Sequence, residues 1–218
     1  MFALSPELFI IDINISTNQM NYLEILSLIS ASAAVKNLEK FDYFVRFALQ
    51  KRISKIKIYE ALLQNYLFCG FPNALFFLKR FNHLTGYKPR KISSVNTNSL
   101  KEKGIKTSQK IYGDKLEKLI FNVKKFSPEL SEWLIIEGYG KVLSRVALSI
   151  KEREACIISV LSVQKFEEQL TSHLYGGLKN GLTVKLIKKL IANLSEIDCD
   201  SEKEFGLIVL NKISKRKK

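Results

Sequence analysis

Histidine is almost absent from this chain. His83 and His173 are the two in 218 residues, and no pair of His or Cys residues has the spacing that holds a metal ion. The three cysteines, Cys69, Cys156 and Cys199, are odd in number and widely spaced, which excludes a disulfide framework and suits a reduced, cytoplasmic compartment. Long apolar runs are missing too. The longest, such as LFII or the stretch around Phe76, are far too short to span a bilayer, so no membrane partner is expected. The N-terminal MFALSPELFIIDIN has no basic n-region and carries Glu7 and Asp12, so it does not read as a signal peptide. No glycine-rich strand-to-helix turn is present to cradle a phosphate.

What is there is apolar and basic. Hydrophobic residues make up 46% of the chain, enough for a buried core of one domain or two small ones. The net charge of +14 has a location: residues 79 to 125 hold thirteen Lys/Arg against Glu102, Asp114 and Glu117. The tail Lys212 to Lys218 adds five more, leaving the remainder close to neutral. Such charge lies on a polar segment and a tail instead of striping one recognition helix, so no specific nucleic-acid partner is expected.

Apolar periodicity and caps predict helices throughout. Residues 21–35 read as a buried helix, 38–50 as an aromatic-rich second, and Ser54 opens a third that runs to about Phe68. Gly70 and Pro72 break the chain before a fourth over Asn73 to Phe81. Residues 84–110 are polar, with no apolar period, and read as a basic linker. Helical patterning resumes from 112, restarts at Ser127-Pro128, and continues past Ser149, whose Glu152 three residues on has capping-box spacing. Shifting residues 21–65 by 129 lays them on 150–194 without a gap. Six positions are identical: Ile29/Ile158, Ser30/Ser159, Lys36/Lys165, Glu39/Glu168, Leu49/Leu178 and Ile58/Ile187.

Five of the ten glycines fall between Gly138 and Gly181, a stretch that also holds Glu154 and His173. Nineteen residues separate that acid from that imidazole: one helix, a tight turn and part of an antiparallel return. The geometry predicts that they face each other as a general acid/base pair. A helix-surface glutamate and a hydrogen-bonded histidine remain the alternative. Gly176 and Gly177 sit mid-helix, where glycine costs about 1 kcal/mol relative to alanine, so they mark either close packing or room for a ligand. Arg145 offers a carboxylate-binding fork or a structural ion pair. At the shifted positions Ile25 replaces Glu154 and Phe44 replaces His173, so the first copy carries no site.

The phrases YGKVLSR, LSIKERE and HLYGGLKNGLT together resemble the carboxymuconolactone decarboxylase family, a helical family that also contains alkylhydroperoxidase D-like peroxidases. The resemblance covers roughly residues 110 to 195. It implies an all-α fold of two tandem repeats: 1–83 without site residues, 84–110 as linker, and 111–218 carrying the site. Phe166 and Gln169 stand where the peroxidase branch has its two thiols, so the chain looks like the decarboxylase branch. The implied activity is a lyase without cofactors acting on a small carboxylated substrate. Glu154 and His173 would be catalytic, and Arg145, Gly176 and Gly177 would bind substrate. A homo-oligomer, a trimer or pseudo-hexameric ring, is implied as well. A non-catalytic helical assembly protein is the alternative, and a thiol peroxidase the less favoured one.

Overall fold

The computed structural model describes residues 19–89 and 96–215. Met1 to Asn14 and the last three residues of the basic tail lie outside them. The described chain is all helical, with no strand. In order come α1 (Tyr22–Ala34), α2 (Leu38–Gln50), α3 (Lys55–Gln64), α4 (Tyr66–Thr85), α5 (Thr97–Tyr112), α6 (Leu116–Phe126) and α7 (Pro128–Trp133). A π-helical segment, Leu134–Leu143, leads to α8 (Ile150–Val163), α9 (Glu167–Lys179), α10 (Val184–Ala192) and α11 (Asp200–Lys215). Among the described residues no single helix is long and apolar enough to cross a membrane.

The core is built on α1 and α8, which pack against each other and are buried on nearly every side. Both start from strong caps. Asn21 accepts from the backbone N–H groups of Leu23 and Glu24, and Ser149 and Glu152 close a reciprocal capping box. Around α1 lie α2 and α3; around α8 lie α9 and α10.

The shift of 129 reaches down to single hydrogen bonds. It carries α2 onto α9 residue for residue, and α1 and α3 onto α8 and α10 within one residue at an end. The first joint turns through Lys36 at φ 61° and its counterpart Lys165 at φ 58°; the second through Arg52 at φ 58° and Gly181 at φ 93°. Asn37 N–H bonds the Ser32 carbonyl just as Phe166 bonds Leu161, and Ile53 bonds Ala48 just as Leu182 bonds Gly177.

The contact between the halves is reciprocal. Buried Glu24 of α1 pairs with Lys189 of α10 at 3.0 Å and accepts from Asn193. Their shifted counterparts, Arg153 of α8 with Glu60 of α3 and Gln64, meet in the same way at 3.1 Å each. Acid and base have exchanged places between the two contacts. At the crossing itself, the Cys156 thiol lies against Ser27, its own counterpart, and Ser30.

Two expectations need correction. The segment read as a linker over 84–110 contains most of α5, capped by Asn96. Its buried face is Gly104, Thr107, Ser108 and Ile111, and it crosses the π segment so closely that glycine alone fits. A Cβ at Gly104 would overlap the Ile135 carbonyl, and one at Gly140 the Leu100 carbonyl. Small residues instead of large apolar ones form this seam, so the segment shows no apolar period. The third helix also ends sooner than expected: α3 stops at Gln64, and α4 starts at Tyr66, kinks at Gly70 (φ 76°) and continues to Thr85.

Candidate functional site

Glu154 lies on the second turn of α8, and His173 on the middle of α9. The structure brings them together, with His173 Nδ1 2.9 Å from Glu154 Oε2. Glu154 is wholly buried and His173 is 7% exposed. The edge of the imidazole meets Phe68 of α4, ring centroids 5.8 Å apart. A proton on Nδ1 shared with Glu154 Oε2 leaves Nε2 as the ring nitrogen for proton exchange. Among the described residues Nε2 makes no hydrogen bond. The second carboxylate oxygen, Oε1, is buried without a protein partner.

Beside the acid stand two tyrosines that the sequence reading passed over. The Tyr139 hydroxyl donates to the Tyr112 hydroxyl at 2.8 Å. Burial pushes Tyr112 up to about 12, against the Tyr139 hydrogen bond and with help from the charge of Glu154. Burial also raises Tyr139, reinforced by Tyr112 and Glu154. Both phenols therefore stay protonated at neutral pH, with Tyr139 the donor and Tyr112 the acceptor of the bond between them.

The two glycines divide in role. Gly177 is close packing: a Cβ there would lie 2.8 Å from Leu182 and 3.2 Å from Ile158. Gly176 lines a cavity of about 250 Å³ together with Tyr112, Lys115, Ser172, Tyr175 and Lys179. A Cβ at Gly176 would stand 3.1 Å from Ile111 and 3.3 Å from Glu154 Oε2, so this glycine packs against the carboxylate, but neither Glu154 nor His173 lines the cavity.

Arg145 is not in this group. Its Nε and Nη2 fork onto Glu60 at 2.6 to 2.9 Å. It lines a different recess, with Lys103, Lys141 and Ser144, that includes neither Glu154 nor His173. The hydrogen bonds it donates to Glu60 hold its guanidinium above the ordinary value. Sequence reasoning had no view of Glu60, which lies 85 residues away. Burial raises the thiols of Cys69 and Cys199 to about 11 and of Cys156 to about 12, so none is poised as a thiolate. Among the described residues, no cluster of His, Cys, Asp and Glu is arranged to hold a metal ion. No protein-family model matches the chain, and neither does any curated protein.

Proposed function

We propose that this chain is a lyase working without cofactors by general acid/base chemistry, resembling the decarboxylase branch of the carboxymuconolactone decarboxylase family. Its substrate would be a small carboxylated lactone or related acid. The observation that carries the reading is the buried 2.9 Å contact between Glu154 and His173. In this reading the C–CO₂ bond of the substrate breaks and its electron pair stays on carbon as an enolate. Protonated His173, held at Nδ1 by Glu154, delivers the Nε2 proton to that carbon as CO₂ leaves. The matching helices, joints and reciprocal ion pairs support two tandem repeats, with the chemistry kept in the second. The thiol reading loses ground on three protonated cysteines.

The test is CO₂ release from carboxymuconolactone and close analogues by the full chain. His173→Ala should abolish turnover, with the melting temperature nearly unchanged. Turnover that survives His173→Ala, or its absence in the wild type across the set, would remove the lyase reading. The assembly reading is favoured by a separate observation: Phe71, Leu75 and Phe76 on α4 are each more than half exposed. These residues suit burial in a homo-oligomer such as a trimeric ring, and the mass in solution against 25.0 kDa per chain tests that.

A further inference from the structure

The cavity beside Gly176 is explained by what the first half places at the same positions. There, Tyr43 and Phe47 project from α2 and their rings stack at 6.2 Å, with Lys51 over Phe47. Shifted by 129, Tyr43 becomes Ser172 and Phe47 becomes Gly176. The two aromatic rings of the first half are thus absent from the second; the direction a side chain at Gly176 would take is filled by Ile111 and Glu154, while a space of about 250 Å³ stands beside Ser172. That is the volume of roughly eight water molecules, enough for a small organic acid. The opening is basic. Lys115 and Lys179 are exposed at the mouth, Lys115 Nζ sitting 4.9 Å over the Tyr175 ring. Neither lysine is paired with a carboxylate among the described residues. Deeper in, the Tyr112 hydroxyl accepts from Tyr139, so its own proton is free for an occupant.

We propose that this cavity is a binding site for a small oxo- or hydroxycarboxylate. Lys115 and Lys179 hold the carboxylate at the mouth, and Tyr112 donates to a carbonyl or hydroxyl oxygen further in. Ser172 and Gly176 set the size limit. The proposal stands apart from the lyase reading, since neither Glu154 nor His173 lines this cavity; binding is its readout, so it survives if turnover fails.

Levulinate, a carboxylate with one ketone, is the probe, followed by isothermal titration. Lys115→Gln with Lys179→Gln should weaken binding by about tenfold or more, the loss of charge-assisted hydrogen bonds. Ser172→Tyr, which restores the first half's ring, should block binding without changing charge. Tyr112→Phe should weaken levulinate while leaving butyrate, which has no ketone, unaffected. His173→Ala should bind as the wild type does, which separates a failed site from failed catalysis. Lys103→Gln with Lys141→Gln, at the recess beside Arg145, should have no effect. Circular dichroism checks the fold of each variant, and the exposed lysine pair carries the test if Ser172→Tyr does not fold. The proposal is overturned if levulinate does not bind, if both lysine pairs weaken it equally, or if inorganic phosphate binds this cavity more tightly.

Discussion

Replacing Glu60 by Gln keeps the side chain's size and removes the only carboxylate that, among the described residues, pairs with Arg145 and Arg153. Glu60 and Arg153 are almost wholly buried, and Arg153 Nη2 meets Glu60 Oε2 at 3.1 Å. Burial pulls the Arg153 guanidinium below its ordinary value even with Glu60 beside it, a sign of what desolvation costs here. Without the acid, Arg153 keeps hydrogen bonds to Gln64 and to the Arg145 carbonyl but loses its counter-charge. An uncompensated buried charge costs about 3–5 kcal/mol. Arg145 adds little, because its side chain is 35% exposed and water screens it. For a chain of this size each kcal/mol lowers the melting temperature by about 2–4 °C, so the expected drop is about 6–20 °C. Urea unfolding of Glu60→Gln measures the loss. Glu60→Met with Arg153→Met should recover at least half of it, since an apolar pair removes the stranded charge. A loss below about 1 kcal/mol for Glu60→Gln, or a double variant as unstable as the sum of its singles, would refute the reasoning.

The remaining predictions concern a cap and a crossing. Burial pushes the Glu152 carboxyl up, but hydrogen bonds from Lys57, the Ser149 backbone and the Ser149 hydroxyl outweigh it, and the net value lies below the usual range. A depressed acid contributes stability that is present above its unfolded value, about 4.3, and lost as pH falls through its folded value. Glu152→Gln should therefore cost about 1 kcal/mol at neutral pH, and its gap to the wild type should close in acid; a gap that widens there contradicts the assignment. Gly140→Ala should destabilise by about 1–3 kcal/mol, because its methyl group meets the Leu100 carbonyl. Unchanged stability in urea would mean that α5 and the π segment do not cross as closely as described.

Much of the helical fold was legible because its signals are local. The capping box at Ser149 and the apolar run over α1 stand in the sequence itself, and so does the gapless shift of 129. The Glu154 and His173 spacing was legible for the same reason, being one helix and one turn. What escaped was either non-local or written in small residues. α5 buries Gly104, Thr107 and Ser108, so its packed face carries no hydrophobic period. Arg145 has its partner on another helix, where no spacing rule reaches. The cavity was half visible at Gly176, but comparing Ser172 with Tyr43 and Gly176 with Phe47 was the step that the shift allowed and the motif reading did not take. Lys115 and Tyr112 come from a segment classed by its charge, which concealed their place beside α9.

The exchanged ion pairs have a consequence for which halves can associate. Were the halves separate chains, two copies of the first would set Glu24 against Glu60, both acids. Two copies of the second would set Arg153 against Lys189, both bases. Only the mixed pair joins opposite charges at both contacts. At these two contacts the halves are complementary to each other and not to themselves, and the covalent connection holds each against the partner that its charges match.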